Sequence, residues 1–447
     1  MKLSRYALVH GEYLFSTVYL TVARVGKHVA DALKSGNIEH MPEHVKNVLL
    51  EAGYLVEDGF DEKAFVEYRL RSQRYDARSL SVTYIPGYKC NFACTYCYAS
   101  LQVHGVPLDE RPHNNLDKLI GWLSNYLSTM QPRLLSFAFH GGEPLMYTNY
   151  VIDVAKAVTK LASRHDVNVE YNVVSNGSLL SQGVYERLRE VNINKFLITV
   201  DGPPNVHDSR RISRNGKSSF DRILSNALNV LENAGTVIIS ANVDSGNKEH
   251  IHELIDRLVE RGFTHYPSFR FVVASVLKGP GSELLSHYEK FQPLDLKEFA
   301  KVKVDAYRYA TQKGIRTSYP FGIGLCSLKL PNSFIIDSNS NIYKCTTLVG
   351  HNESWVGSLD DDLEVIARRI SQLDMAEPWV KDETCQQCVY LPMCVGGCPQ
   401  QAMLTKPQTP FPHAVWCPKD FLDVYTPSIL GILEERNRRF PELAQVD

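Results

Sequence analysis

The chain has 447 residues, of which 44% are hydrophobic and 22% are charged, and its formal net charge is −2. This length predicts two or three domains, and the composition is that of a globular protein with a large core. The charge argues against a nucleic-acid partner, because nucleic-acid-binding proteins usually carry a basic surface. We find neither an apolar run long enough to span a membrane nor a signal peptide after Met1, and therefore expect a cytoplasmic location and no membrane partner.

Residues 1–60 are the first predicted domain. Residues 13–23 are rich in aromatic and β-branched side chains and predict a strand. Helices are predicted over residues 25–33 and 42–52, the second between Pro42 and Gly53, and residues 55–56 return as a strand. These elements indicate a winged-helix-like module, with a simple structural cap as the equal alternative. The charged residues 61–79 then predict a linker helix.

Strand-like and helix-like segments alternate from residue 80 to about residue 273. The predicted strands cover residues 80–85, 134–139, 167–174, 196–200, 237–243 and 269–273. The helical segments between them include residues 115–130, 150–164, 218–232 and 249–261. This alternation predicts an α/β domain over residues 80–315, with parallel strands joined by helical crossovers. Parallel strands joined in this way can close into a barrel, and the active sites of such barrels lie at the carboxyl ends of the strands.

The ten cysteines fall into two groups, and none stands alone. The first group is Cys90, Cys94 and Cys97. The second group, in the last third of the chain, consists of Cys326, Cys345, Cys385, Cys388, Cys394, Cys398 and Cys417. A long chain without a secretion signal is a poor candidate for a disulfide framework. The cysteines therefore predict metal ligation in a reducing compartment.

The first cysteine group follows the first predicted strand. Three thiolates suit a [4Fe–4S] cluster with one iron left without a protein ligand, whereas structural zinc normally takes four ligands. The pattern C-x3-C-x-aromatic-C, with Tyr96 before the last cysteine, resembles the signature of radical S-adenosylmethionine (SAM) enzymes. The sequence Gly-Gly-Glu-Pro at residues 141–144, after the second predicted strand, is similar to the next segment of that family's pattern.

This resemblance implies an incomplete (β/α)6 barrel in which the amine and carboxylate of SAM chelate the open iron. It also implies reductive cleavage of SAM to methionine and a 5′-deoxyadenosyl radical, which removes a hydrogen atom from an unactivated carbon. Arg211 would bind the SAM carboxylate with its guanidinium fork. The residues expected to contact the cofactor are Tyr96, Gly141, Gly142, Glu143, Pro144, Ser175, Asn176, Thr199, Asp201, Arg211 and Asn242. Catalytic acid–base residues stay unassigned, because shifted pKa values cannot be seen in a sequence.

The second cysteine group resembles the seven-cysteine SPASM pattern. We place this domain at residues 316–425 and a C-terminal helix at residues 426–447. The resemblance implies two auxiliary [4Fe–4S] clusters, three clusters in all. It assigns Cys385, Cys388, Cys394 and Cys417 to the far cluster, and Cys326, Cys345 and Cys398 to the nearer one, which then has only three cysteine ligands. Zinc binding and purely structural clusters are the alternatives. Ser340 stands where that family usually has glycine, and we expect the polar turn around it to supply the bend.

The combination resembles the peptide-modifying radical SAM/SPASM maturases, whose small N-terminal modules capture a leader peptide at a sheet edge. It implies a ribosomally made precursor peptide with a leader as the substrate, a thioether crosslink, carbon–carbon crosslink or other oxidation as the outcome, and flavodoxin or ferredoxin as the electron donor. An anaerobic sulfatase-maturing enzyme is the alternative. That family has an aspartate base where this chain has Thr346, and usually a glutamine where it has His140. A cluster-bearing scaffold without radical chemistry is the second alternative.

Overall fold

The computed structural model describes residues 1–99, 115–277, 292–374, 377–409 and 414–443. The chain divides into two compact units. The smaller unit comprises Met1–Tyr75, Tyr319–Lys329 and Met375–Asp447, and the larger unit comprises Asp76–Ser318 and Leu330–Asp374. The smaller unit is thus assembled from three separate stretches of chain. The domain boundaries expected from the sequence, which follow the chain continuously, stay predictions.

The smaller unit begins with short antiparallel strands followed by helices. The strands are β1 (Lys2–Leu3), β2 (Ala7–His10), β3 (Tyr13–Ser16), β4 (Thr21–Arg24) and β5 (Leu55–Val56), with β2-β3-β4 in one sheet and β1 paired with β5. Helices α1 (Lys27–Ser35), α2 (Glu43–Glu51) and α3 (Glu62–Arg74) confirm the predicted helices. Residues 13–23 contain strand residues, as predicted, but they form two strands, because the chain turns between β3 and β4 with Leu20 in the left-handed region at φ 57°. Leu14, Leu33, Leu49 and Tyr54 pack together in the core of this segment.

A nine-stranded sheet forms the centre of the larger unit. Six of its parallel strands are β6 (Ser79–Tyr84), β8 (Leu134–Phe139), β9 (Asn168–Ser175), β10 (Lys195–Thr199), β12 (Thr236–Val243) and β13 (Phe269–Ser275), and a separate pair is formed by β7 (Phe92–Cys94) and β11 (Arg211–Ser213). The helices of this part are α4 (Leu116–Met130), α5 (Thr148–Arg164), α6 (Gln182–Arg189), α7 (Pro204–Arg210), α8 (Phe220–Glu232), α9 (Ile251–Glu260) and α10 (Leu296–Gln312). The predicted α/β fold with six parallel strands is confirmed. The loops after these strands meet at the carboxyl edge of the sheet, where parallel barrels place their active sites.

Three further strands extend this sheet beside β6. They are β14 (Ser333–Ile336), β15 (Asn341–Tyr343) and β16 (Trp355–Ser358), followed by helix α11 (Leu363–Asp374). The hairpin of β14 and β15 leads to Cys345, and Ser340 in its turn has φ 69°, a backbone conformation that favours glycine. Asp337 stabilises this turn, because its Oδ1 accepts hydrogen bonds from the backbone N–H groups of Asn339 (2.9 Å) and Asn341 (2.8 Å). The polar turn therefore supplies the bend, as predicted.

The smaller unit is completed by short helices around the cysteines and by one long C-terminal helix. These helices are α12 (Pro378–Lys381), α13 (Glu383–Gln387), α14 (Leu391–Cys394), α15 (Pro399–Thr405) and α16 (Lys419–Arg439). Helix α16 begins at Lys419, earlier than the predicted residue 426, and buries Leu422, Ile429 and Leu433. Its charged last turns are not simply solvated, because Arg436 is only 2% exposed.

Candidate active site

The first cysteine group lies in the loop that follows β6. Strand β7 in this loop pairs with β11, and the register places Arg211 directly opposite Cys94. A backbone hydrogen bond from Thr95 N to Arg210 O (2.9 Å) continues the pairing. The sequence indicated both segments but not their pairing, because a contact between distant segments leaves no local pattern. The pairing brings the arginine expected to bind SAM to the cysteine loop.

Cys90, Cys94 and Cys97 are not joined in disulfides, and their thiols affect one another electrostatically. Burial raises the pKa of Cys90 to about 11 and that of Cys94 to about 12, and the Cys97 thiol adds to both shifts. Such thiols release their protons on binding a metal. Among the described residues, no three His, Cys, Asp or Glu side chains converge on the position of a single metal ion. Three neighbouring thiols on one loop instead fit a cluster with three cysteine ligands.

Gly141 and Gly142 follow β8 and pass close to the backbone that leads into the cysteine loop. Gly141 has φ 131°, and a Cβ atom added to Gly142 would lie 2.3 Å from the carbonyl oxygens of both Tyr88 and Lys89. A side chain at Gly142 would therefore collide with the backbone. The sequence suggested that these glycines admit SAM, and the structure adds that glycine is needed for the two loops to pack together.

Glu143 joins the loop after β8 to the loop after β9. The side chain is fully buried, and its carboxylate accepts hydrogen bonds from Leu145 N (3.0 Å), Ser175 Oγ (2.9 Å) and Asn176 N (2.7 Å). Burial raises the pKa of Glu143, and these hydrogen bonds oppose the shift. Pro144 begins a short 3₁₀ turn directly after it. Glu143 and Pro144 therefore shape the loop that carries the two glycines.

Replacing Glu143 with glutamine is expected to destabilise the protein by about 1–3 kcal/mol, the cost of leaving a buried donor without its acceptor. The amide NH2 of glutamine donates and cannot accept, so at least one of the three donors loses its partner. Urea denaturation of the reconstituted enzyme under anaerobic conditions, followed by circular dichroism, measures the loss. Glu186→Gln, at an exposed position on α6, is the control. Equal unfolding midpoints for the two variants would contradict the bracing role.

Asn176 also contacts the cysteine loop. Its Nδ2 donates to Asn91 Oδ1 (2.8 Å), and Asn91 Nδ2 in turn donates to Ser178 Oγ (2.9 Å). Ser175 and Asn176 are only 3% and 5% exposed. Asn176, a predicted cofactor residue after β9, is thus hydrogen-bonded to Asn91, the residue that follows Cys90. Asn91 was missed, because a single asparagine in a loop carries no signal of its own.

Tyr96, Asp201, Arg211 and Asn242 converge in one hydrogen-bonded group, here called the Asp201 network, in which Asp201 and Arg211 are buried and the other two are half-buried. Tyr96 Oη donates to Asp201 Oδ2 and accepts from Arg211 Nη1 (2.8 Å) and Asn242 Nδ2 (3.3 Å). The Asn242 backbone N–H donates to Asp201 Oδ1 (3.0 Å). Thr199 lies at the end of β10, two residues before Asp201. The structure thus brings together four of the predicted cofactor residues, which are distant from one another in the sequence.

Arg211 is the member of the network with unused hydrogen-bonding capacity. Burial works against its charge, but Cys94, Tyr96 and Asp201 hold its pKa above the ordinary value. Its Nε–H group is buried and has no acceptor among the described residues. A buried donor without a partner is costly, and a ligand carboxylate would satisfy it. Arg211 therefore fits the role predicted for it toward the carboxylate of SAM.

Arg210, the neighbouring residue, also has a buried Nε–H without a hydrogen-bond acceptor among the described residues, but this group lies 3.7 Å from Asp201 Oδ2. Its Nη1 pairs with Asp244 Oδ1 at 2.8 Å, and its guanidinium lies 5.1 Å from the centroid of the Tyr96 ring. Asn247 Nδ2 donates to the backbone carbonyl of Asp201 (2.7 Å). Arg210, Asp244 and Asn247 therefore support the Asp201 network. Asp244 and Asn247 were missed by sequence reasoning, because polar residues after a strand usually belong to an ordinary turn.

A second polar group was also missed, and it joins the cysteine loop to the segment after β15. Tyr98 Oη lies 3.1 Å from His140 Nε2, and the side chain of Thr346 is also hydrogen-bonded to Tyr98. His140 Nδ1 accepts from Gly141 N (2.6 Å), which assigns the ring proton to Nε2. Burial lowers the pKa of His140 to about 4, so the ring is neutral near pH 7. Tyr98 thus joins the two positions at which the chain departs from the sulfatase-maturing pattern.

In the smaller unit, four cysteines lie within electrostatic reach of one another. Burial raises the pKa of Cys385 to about 12 and that of Cys394 to about 11, and the Cys417 thiol adds to both shifts. Burial also raises the pKa of Cys388, again with a contribution from Cys417. These are the four cysteines that the resemblance assigned to the far auxiliary cluster, and their grouping fits four-cysteine ligation.

Cys326 and Cys398 form a second group in the same unit. Burial raises the pKa of Cys398, and the Cys326 thiol adds to the shift. Cys345 belongs to the larger unit, where it follows β15. The assignment of Cys345 to one cluster with the other two stays a prediction.

Comparison with known proteins identifies the class of this enzyme. Residues 84–258 match the Radical SAM superfamily. This range contains the first cysteine group, the two-glycine loop and the Asp201 network. The chain therefore contains a radical SAM domain and is an enzyme, and this match supports SAM and a [4Fe–4S] cluster as its cofactors.

Two similar enzymes extend the match beyond this domain. The cysteine-type anaerobic sulfatase-maturating enzyme of Clostridium novyi (strain NT) is 25% identical over 349 residues, which cover 72% of this chain and 88% of that enzyme. The serine-type anaerobic sulfatase-maturating enzyme of Klebsiella aerogenes is 23% identical over 336 residues, which cover 70% and 78%.

Two solved structures share the fold. Polyhistidine-tagged anSMEcpe with bound AdoMet superposes with a TM-score of 0.61 at 20% identity and covers 82% of this chain and 97% of its own. Streptococcus suis SuiB bound to the precursor peptide SuiA superposes with a TM-score of 0.55 at 15% identity and covers 93% and 98%. These likenesses confirm the predicted fold, a radical SAM barrel with a cysteine-rich C-terminal region.

Proposed function

We propose that this enzyme is a maturase that oxidises a ribosomally made precursor peptide and leaves a thioether crosslink, a carbon–carbon crosslink or another oxidation in it. The proposal is supported by the radical SAM domain, by the cysteine groups of the C-terminal region and by the fold shared with SuiB, which was solved with a precursor peptide. The hydrogen-bonded set of Tyr98, His140 and Thr346 is the observation that favours this function over sulfatase maturation.

Residues of the larger unit have three separate roles: they hold the cluster, bind SAM and position the arginine that contacts it. When bound, SAM and the cluster supply a 5′-deoxyadenosyl radical that removes a hydrogen atom from the substrate. Cys90, Cys94 and Cys97 hold the cluster, and the free Nε–H of Arg211 binds the carboxylate of SAM. The Asp201 network keeps that guanidinium in place, and burial of the network excludes water from it.

Two auxiliary clusters complete the proposal. Seven cysteines remain after the first group, whereas two four-iron clusters with full cysteine ligation would need eight thiolates. We assign three ligands, Cys326, Cys345 and Cys398, to the nearer cluster. A cluster held by these three cysteines would supply either a site for a substrate thiolate or an acceptor for one electron. Loss of a hydrogen atom, an electron and a proton would leave the peptide two hydrogens lighter.

The N-terminal sheet offers a place for the leader. Strand β4 is at the edge of the β2-β3-β4 sheet, and both of its end residues, Thr21 and Arg24, are exposed. An extended peptide can add to such an edge through main-chain hydrogen bonds. We propose that the leader binds β4 and that flavodoxin or ferredoxin donates the electron to the first cluster.

Over the described part of the chain, none of the helices combines the length and apolar character that membrane crossing requires.

Sulfatase maturation is the second candidate, and the similarity to the Clostridium novyi enzyme over 88% of its length favours it. That reaction is expected to use an aspartate base after the second SPASM cysteine. Thr346 stands there in this chain, and its hydroxyl is hydrogen-bonded to Tyr98. A hydroxyl cannot take up a proton as a carboxylate does near pH 7, and this weakens the second candidate.

Anaerobic co-expression with candidate precursor peptides, followed by tandem mass spectrometry, tests the proposal. We expect a crosslinked or oxidised peptide about two mass units lighter than its precursor, because two hydrogens are lost. The same core peptide without its leader is the control and should react far more slowly. Formylglycine formation in a sulfatase peptide, with every precursor peptide unchanged, would support the second candidate. Reconstituted enzyme that releases no 5′-deoxyadenosine would refute both and favour a scaffold.

A further inference from the structure

Lys329 lies in the smaller unit at the backbone of the loops that carry auxiliary cysteines. Its Nζ donates hydrogen bonds to the carbonyl oxygens of Gly324 (2.9 Å), Val395 (2.7 Å) and Gly397 (2.5 Å). An ammonium group has three N–H donors. All three are used by backbone carbonyls, so the positive charge is held in one position.

The cysteines beside these carbonyls are predicted ligands of both auxiliary clusters. Cys394 and Cys398 flank the segment that contains two of the acceptor carbonyls, and Cys326 precedes Lys329 by three residues. Burial lowers the pKa of Lys329, whereas the thiols of Cys326, Cys394 and Cys398 raise it. The ammonium therefore lies within electrostatic reach of all three sulfur atoms.

The surroundings leave this charge without a carboxylate partner. Arg74 Nε donates to the Lys329 carbonyl oxygen at 2.8 Å, and Arg74 Nη1 pairs with Glu377 Oε1 at 2.7 Å. Glu377 also pairs with Arg71 through its Oε2 at 2.9 Å, so its carboxylate is shared by two arginines. Among the described residues, no Asp or Glu side chain forms an ion pair with Lys329. The Lys329 ammonium can therefore balance the negative charge of the cysteine thiolates and of the cluster that they would hold.

We propose that Lys329 is a positioning residue that raises the reduction potential of the auxiliary clusters bound by these loops. One-electron reduction adds a negative charge to a cluster, and a fixed positive charge beside it favours the reduced form. Net charge and surroundings are among the factors that set the potential of such clusters. The inference rests on the proposed function for the presence of the auxiliary clusters, and it names a residue that makes them better electron acceptors.

Redox titration followed by electron paramagnetic resonance tests this in the full, reconstituted chain. The neutral variants Lys329→Met and Lys329→Gln should show an auxiliary signal at a lower potential than the unaltered enzyme. Lys329→Arg keeps the charge and should titrate close to the unaltered enzyme. Lys46→Met, which removes a lysine paired with Glu43 on α2, is the control for loss of one charge elsewhere in the same unit. Iron content is measured for each variant.

The outcomes separate charge from structure. An unchanged potential in neutral variants that retain full iron would overturn the proposal. Loss of iron from both neutral variants would also overturn it, because Lys329 would then be a structural clamp for the loops. An unaltered enzyme without auxiliary signals would refute the cluster count and this inference together. A shifted potential in an enzyme that leaves every precursor peptide unmodified would count against the proposed substrate only.

Discussion

Replacing Cys90, Cys94 and Cys97 together with alanine is expected to abolish SAM cleavage while most of the iron stays bound. These thiols lie on one loop of the larger unit, whereas six of the other seven cysteines belong to the smaller unit. Iron should fall from roughly twelve to roughly eight atoms per chain if each of three clusters holds four. Iron analysis measures the first effect, and chromatography of 5′-deoxyadenosine after reduction measures the second.

The control for this variant is Thr95→Ala in the same loop. Thr95 is joined to Arg210 through its backbone N–H, which alanine retains, so this variant should keep both its iron and its SAM cleavage. A triple variant that still releases 5′-deoxyadenosine would contradict the assignment of the first cluster. A fall to four irons or fewer would contradict the count of two auxiliary clusters.

The fold was predictable where each element follows from local sequence. Strands such as β6 alternate buried and half-exposed residues, with Leu80, Val82 and Tyr84 fully buried, and such patterns recur between helical segments. The hairpin β3–β4 escaped prediction because its turn contains Leu20, an apolar residue, in the left-handed region where glycine or asparagine is usual. The turn residues Val18, Tyr19 and Leu20 have the same strand-like character as their neighbours, so the whole segment resembles a single strand.

The candidate site was predictable where one residue type is chemically necessary. Closely spaced cysteines indicate metal ligation in a chain of this length, and Gly142 is needed because a Cβ there would meet two carbonyl oxygens. The partners of these residues were not predictable. Lys329 looks like any surface lysine in the sequence, and its role depends on three carbonyls that only folding brings together.

The direction of the hydrogen bonds among Tyr98, His140 and Thr346 shows whether this set could act as a base in the reaction. His140 accepts from Gly141 N on one side and donates its Nε2 proton to Tyr98 on the other. With a pKa of about 4, His140 does not gain a second proton near pH 7. The set therefore presents hydrogen-bond donors rather than a base. A reaction that begins with deprotonation of a substrate thiol or hydroxyl finds no support here, and this agrees with the proposed preference over sulfatase maturation.

Replacing Arg211 with lysine is expected to weaken SAM binding about tenfold to hundredfold, which corresponds to the loss of a charge-assisted hydrogen bond worth about 1.5–3 kcal/mol. A lysine ammonium keeps the charge but cannot supply the Nε–H that lies unpaired in the buried network. Isothermal titration of the reconstituted, oxidised enzyme with SAM under anaerobic conditions measures the change. The register of Arg211 opposite Cys94 makes the effect local to the cysteine loop.

Arg210→Lys is the matched comparison, because the two arginines are neighbours with different partners. Arg210 is held by Asp244 at 2.8 Å and by the face of Tyr96. Its replacement should lower the unfolding temperature, since a buried carboxylate loses its guanidinium partner, and should weaken SAM binding less than Arg211→Lys does. If Arg210→Lys reduced the affinity for SAM more than Arg211→Lys, the carboxylate of SAM would have to be assigned to Arg210, and the Asp201 network would act as a support for that residue instead.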